Sequence, residues 1–232
     1  MKKIVFIINE RTTGGFTSAL SSLYDVIKTD YNIQVIELTS YGHTPVSYES
    51  VCIKPSFLCD GYFSDFTASN GFRKFRALIA RLWAKIINQP IERLIRDYQN
   101  IFEEADCIIA YSEGKATQFA SHILHNNKIA WIHYNAARKP YNERFNDLYS
   151  SFRKVVCVAD TIAEGMKNKY PILSFQICSM HNITDVDRVL KMSAITIEEV
   201  FGDCINIISL GRIVPLKRFS YIPAFAKVLA DN

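Results

Sequence analysis

The chain has 232 residues, of which 49% are hydrophobic and 22% charged, and its net charge is +4. That is the composition of a globular protein with a well-filled core, and it excludes a disordered chain. The mild basicity admits an acidic partner, such as a phosphorylated substrate or an anionic lipid surface, without requiring one. Nucleic acid is disfavoured, because the basic residues concentrate in one helical stretch and no nucleic-acid-binding module accompanies them.

The opening MKKIVFII begins like a signal peptide, but its apolar run stops at Ile8, before Asn9-Glu10-Arg11. It is too short for a signal core and reads instead as a first buried strand, Ile4 to Ile8. A Gly14-Gly15 turn follows, then an amphipathic helix from Thr17 to Ile27. Further short apolar runs lie at Ile33 to Leu38, Cys107 to Tyr111, Lys128 to Ile132, Val155 to Val158 and Phe175 to Cys178, each followed by polar or helical sequence. Strands buried on both faces look like this. The expected fold is therefore α/β, a Rossmann-like parallel sheet covered by helices, with ligands at the carboxyl ends of the strands.

Residues 55 to 71 lack periodicity and read as a long loop. Beyond them Phe72, Phe75, Leu78, Ile79, Leu82, Trp83 and Ile86 recur at steps of three and four, which places them on one helical face. Between Arg73 and Arg96 there are seven basic residues and one acidic residue, Glu92. Such a helix either packs on the sheet with its cations in water or lies on an anionic membrane. No run approaches the length of a transmembrane helix, so the expected location is cytoplasmic, with peripheral contact at the inner face of the membrane through residues 72–96. Val186 to Gly202 reads as a connecting helix and linker, with a domain boundary between about 183 and 203. Ile205 to Leu210 then reads as a fresh strand, and Lys217 to Leu229 as a helix.

Six cysteines, at 52, 59, 107, 157, 178 and 204, form no CxxC pair, so neither a zinc site nor a redox motif is suggested. Cys107, Cys157, Cys178 and Cys204 are expected as reduced core residues.

Three motifs bear on chemistry. The glycine pair in Thr13-Gly14-Gly15-Phe16-Thr17-Ser18 would let backbone N–H groups approach a ligand at a helix N-terminus. It serves equally well as a tight turn, and it is neither GxGxxG nor a Walker loop. His133 directly follows the strand Lys128 to Ile132, so it falls at the functional edge of an open α/β sheet, where a near-neutral imidazole suits proton or hydrogen-bond chemistry. A structural role for a lone histidine is the more common case. His43, His122, His125 and His181 have weaker positions, and none makes an HxxxH pair. Lastly, Gly211-Arg212-Ile213-Val214-Pro215-Leu216-Lys217 runs from a strand pattern into a helix pattern. Arginine takes a phosphate bidentately and lysine adds a point charge, and this setting favours phosphate binding over two solvated cations.

Taken together, Gly14-Gly15, Asn182-Ile183-Thr184-Asp185, the Gly211 to Lys217 loop and the following Ala224-Phe225-Ala226 resemble the motifs of the family-4 glycosyltransferases, retaining enzymes of the GT-B fold. The resemblance implies two Rossmann-like domains facing each other across a cleft. Residues 1–190 would be the acceptor-binding domain, and 203–232 the first βα unit of a donor-binding domain. It further implies a nucleotide-sugar donor and a cell-surface glycan or lipid-linked acceptor. Arg212 and Lys217 would hold the donor pyrophosphate without a metal or other cofactor, Gly14 and Gly15 would line the cleft, and His133 would lie near the transferred sugar. The family's Glu-x7-Glu motif has no counterpart here, so about one further domain, on the order of 100–150 residues, is expected beyond this chain. The chain alone is expected to be inactive, and association between copies is allowed through surface left uncovered. Two alternatives keep the fold: an accessory subunit that binds without catalysis, and a sugar-nucleotide epimerase.

Overall fold

Along the first strand, β1 (Lys2–Ile8), successive side chains enter opposite cores. Val5 and Ile7 go to one face of the sheet and Phe6 and Ile8 to the other, all four removed from water. A strand that is apolar on both faces must be covered on both, which is why its sequence is a continuous hydrophobic run. The computed structural model describes residues 1–11, 14–39, 45–54, 75, 78, 79, 82, 90–134, 142–196, 207–211, 213 and 217–230. They fall into two units, Met1–Asp185 and Val186–Asn232, each described by itself.

The first unit contains a parallel sheet of β1, β2 (Tyr31–Glu37), β3 (Ser50–Cys52), β4 (Cys107–Ala110), β5 (Lys128–Ile132), β6 (Lys154–Cys157) and β7 (Ile177–Ser179). Their spatial order is β3-β2-β1-β4-β5-β6-β7. The chain builds outward from β1 to one edge and then returns to lay β4 on its other side. The order therefore reverses between β1 and β4, so the helices that follow these two strands cover opposite faces, and the carboxyl edge between them is where an open α/β sheet takes its ligand. Register carries the alternation across the sheet: Phe6 stands opposite Val35 and Ile109, while Ile7 stands opposite Ile36 and Ala110.

One face is covered by α1 (Gly15–Ile27), whose Phe16, Leu20, Leu23, Tyr24 and Ile27 pack on Phe6, Ile8, Val35 and Ile109. The other face carries α2 (Pro90–Asp97), α3 (Gln99–Glu103), α4 (Lys115–Ser121), α5 (Arg144–Ser150) and α6 (Asp160–Lys169). They contribute Ile91, Leu94, Phe102, Phe119, Tyr149 and Met166 to its core. This is the expected Rossmann-like α/β fold. A buried lysine locks α4 in place: Lys128, 4% exposed, donates from Nζ to the carbonyls of Ala120, Ser121 and Ile123 at 2.7–3.1 Å. Those are the carbonyls a helix end leaves without partners, and a cation there also suits the helix dipole.

Some expectations shift. β3 was not anticipated, because three residues are too few for periodicity to register. The strand expected at Phe175 to Cys178 lies two residues later, and Phe175 is exposed. Of the helix expected between 72 and 96, residues 75, 78, 79 and 82 are helical and α2 supplies the end. Phe72, Trp83 and Ile86, like the loop expected over 55–71, lie outside the described residues. Cys107, Cys157 and Cys178 are free thiols. Burial pushes Cys107 up to about 11 and Cys157 up to about 12, which keeps both neutral at physiological pH. Cys59 and Cys204 lie outside the described residues.

The second unit has two helices among its described residues, α7 (Val186–Ser193) and α8 (Ile222–Ala230), the latter preceded by a 3-10 turn at Phe219–Tyr221. The helix expected after Lys217 is present. The strand expected over Ile205 to Leu210 is not formed in its described part, since Ile207 to Leu210 are exposed and carry no ladder. An isolated apolar run has no neighbour for its backbone N–H and C=O groups, so β propensity alone does not make it a strand.

Candidate functional site

Three loops converge where the strand order reverses. Asn9, the first residue after β1, ties two of them together. Its backbone N–H donates to Ser112 Oγ at 3.0 Å, its Nδ2 donates to the Glu113 carbonyl at 3.0 Å, and its Oδ1 accepts from the Ala116 N–H at 2.8 Å. The last bond satisfies an orphan donor in the first turn of α4. Glu113 then reaches the third loop, its Oε1 accepting from the backbone N–H groups of His133 and, at 2.9 Å, Tyr134. Thr39, just past β2, donates its hydroxyl to the Asn9 carbonyl at 3.0 Å.

The residue after the glycine pair, Phe16, packs against His133 at this edge. Gly14 has φ +153° and ψ −179°, a region open almost only to glycine. Its carbonyl accepts from the Ser18 N–H as α1 begins. Gly15 is under no such constraint, and a Cβ built on it or on Gly14 meets nothing within 4 Å. The start of α1 has no side-chain cap and no acidic residue in its first turn, so its positive end faces the crevice uncompensated by its own helix. Phe16, next in sequence, places its ring 5.2 Å from that of His133, edge-to-face, and Tyr111 places its ring 4.7 Å away on another side. Residues more than a hundred positions apart thus form one surface.

This packing decides what His133 does. Burial lowers its pKa to about 4, and a hydrogen bond with the Tyr111 backbone opposes this only in part. At neutral pH the imidazole is therefore uncharged, and its buried Nε2 has no partner among the described residues. A neutral ring held between two aromatics brings hydrogen-bonding capacity to this edge and no positive charge.

Lys217 belongs to the second unit, where it is exposed at the start of the turn leading to α8. Gly211 lies against that turn, since a Cβ on it would stand 3.3 Å from the Phe219 ring. Arg212 lies outside the described residues. Among the described residues no group of three or more His, Cys, Asp or Glu side chains is placed to hold a metal ion, and no helix is long and apolar enough to cross a membrane.

The sequence had not singled out Asn9, Glu113 or the buried Glu37. Each acts through a partner distant along the chain, as the 104-residue separation of Asn9 and Glu113 shows. An asparagine closing an apolar run was the one local sign.

No family model matches the chain, and none of the curated proteins does. Solved structures do. HepE from Anabaena in complex with UDP-glucose superposes with a TM-score of 0.50 at 14% identity, over 81% of this chain and 45% of that one. The same protein with UDP and glucose gives 0.48 at 15% identity, over 81% and 46%. A glycosyltransferase from Rickettsia africae gives 0.37 at 11% identity, over 85% and 51%. The first of these shows a shared fold, and the other two add no weight to it. This chain spans less than half the length of the HepE chain.

Two outcomes are expected. Gly14→Ala should lose about 1–3 kcal/mol of stability in urea unfolding, whereas Gly15→Ala should be neutral or slightly stabilising, because alanine is the better helix former. Equal effects at the two positions would mean that the Gly14 backbone relaxes freely. For His133, the folded pKa of about 4 lies below the ordinary 6.5, so between those values the unfolded chain binds the extra proton. Stability should hold above pH 6.5 and fall as the pH is lowered toward 4. His133→Gln should flatten that limb, and an unchanged pH profile in the variant would assign the acid sensitivity elsewhere.

Proposed function

We propose that the chain is the acceptor-binding part, together with the first elements of the donor-binding part, of a retaining glycosyltransferase of the GT-B type that uses a nucleotide-sugar. The observation that carries this reading is the packing of Phe16, the residue after Gly14-Gly15, against His133, at the carboxyl edge of a Rossmann-like unit sharing its fold with a protein that binds UDP-glucose. An open strand-end crevice at a switch point is where such a unit takes its ligand. His133, uncharged and oriented by Phe16 and Tyr111, is suited to hydrogen-bond a hydroxyl of the transferred sugar without competing for its phosphates.

The charge that accumulates on a departing nucleotide has to be met by cations. The roles fall to Arg212, as a two-pronged donor, and Lys217, as a mobile point charge. Neither requires a metal. The acceptor is a cell-surface glycan or a lipid-linked sugar, and the reaction is cytoplasmic.

Peripheral attachment to an anionic membrane belongs to the same reading. Phe75, Leu78, Ile79 and Leu82 are helical, follow one another at steps of three, one and three, and are 40–60% exposed. They form an apolar stripe in a segment whose sequence is strongly basic.

In the complete polypeptide, Arg212→Ala or Lys217→Ala should lower turnover of UDP-glucose or another nucleotide-sugar at least tenfold, about 1.4 kcal/mol of lost transition-state stabilisation. Wild-type rates in both would remove the phosphate assignment, and a product of inverted anomeric configuration would remove the retaining one. For the stripe, co-sedimentation with vesicles should rise with their phosphatidylglycerol content. Indifference to that content would sink the membrane assignment.

A further inference from the structure

On the α1 face, at the carboxyl end of β2, lies a polar cluster that neither the glycine loop nor His133 uses. Glu37, the last residue of β2, is only 2% exposed. Its Oε1 stands 2.7 Å from Nε of Arg11, an ion contact, and also accepts from the Ser50 hydroxyl. Beside this pair is Tyr48, 4% exposed, whose hydroxyl has no partner among the described residues. Burial pushes that hydroxyl up to about 12, with the Glu37 charge adding to the rise and the Arg11 charge opposing it. Both charges therefore act on Tyr48, and the hydroxyl remains protonated at neutral pH.

Arg11 is the member of the cluster that reaches solvent. Its side chain is 30% exposed, and it lies in the loop that leads to Gly14. Its Nε makes an ion contact without a hydrogen bond, and its terminal NH2 groups make no hydrogen bond among the described residues. A buried carboxylate behind an arginine does two things. It holds the guanidinium in one orientation, which reduces the ordering needed when a ligand arrives. It also cancels the net charge of the pair, so the exposed fork donates hydrogen bonds without strongly attracting an anion. A phosphate or carboxylate arriving at Arg11 meets Glu37 immediately behind it. An uncharged oxygen does not suffer that repulsion.

We propose that Arg11 binds hydroxyl oxygens of a neutral sugar through its two terminal NH2 groups, with Glu37 as the positioning residue that makes the site select uncharged over anionic sugars. Describing that sugar as the acceptor rests on the transferase reading above; the site and its charge preference do not.

The test is titration of the full chain with the methyl glycosides of glucose, galactose and mannose, and with methyl glucuronide, followed by amide chemical shifts. At least one neutral hexoside should bind, and glucuronide should bind more weakly. Arg11→Met should weaken the neutral sugar at least tenfold. Glu37→Gln, which keeps the size and leaves the arginine charge uncompensated, should raise the affinity for glucuronide relative to the neutral sugar at least fivefold. No binding of any neutral hexoside, preference for glucuronide in the wild type, unchanged affinity in Arg11→Met, or an unchanged ratio in Glu37→Gln would each overturn the proposal. The transferase reading is tested separately, by turnover in the Arg212→Ala and Lys217→Ala variants: wild-type rates there with hexoside selectivity here would count against that reading and leave the site standing, and the reverse result removes the site alone.

Discussion

Asn9 uses both ends of its side-chain amide, and its backbone N–H as well, to hold β1 against the loop that follows β4. These two strands are neighbours in the sheet but about a hundred residues apart in the chain, so no turn sets their relative height. The opposite end of the same seam is pinned too. The Lys3 N–H donates to Asp106 Oδ2 at 2.7 Å, the Asp106 N–H donates back to the Lys3 carbonyl at 2.8 Å, and Lys3 Nζ pairs with Glu104 at 2.8 Å. A slip of one residue would exchange the two hydrophobic faces of every strand involved. With polar clamps at both ends of a fully apolar ladder, Phe6 stays opposite Ile109 and Ile7 opposite Ala110, and the crevice at the carboxyl edge keeps its shape.

The electrostatics of that crevice follow from the same economy of charge. Three groups that would ordinarily carry charge there are neutral or compensated within the unit: His133 by burial, Glu37 by Arg11, and Glu113 by two backbone donors. What is left over is directional hydrogen bonding and the positive end of α1.

The architecture was legible because parallel strands buried on both faces declare themselves as apolar runs, and six of the seven are visible in that way. β3 was hidden by its length, and the run at Ile207 to Leu210 shows the converse failure, a strand-like sequence with no neighbour to pair with among the described residues. For the site, Gly14, Gly15 and His133 could be nominated from their places after β1 and β5. That His133 is kept neutral could not be foreseen, because it depends on Phe16 and Tyr111 closing over it from two other elements. The Arg11–Glu37 pair was equally invisible. A glutamate ending a strand looks like a solvated residue until folding places an arginine against it.

The aromatic contacts around His133 continue one step further, to Trp131, whose ring lies 5.1 Å from that of Tyr111. Trp131 is buried, and its indole N–H has no partner among the described residues. An emitter therefore sits one ring away from the histidine, in a dry and fixed setting. The chain has only two tryptophans, so replacing Trp83 isolates its signal. Any molecule that enters the crevice and shifts Tyr111 or His133 disturbs the surroundings of that indole, and the protein carries its own optical gauge of occupancy.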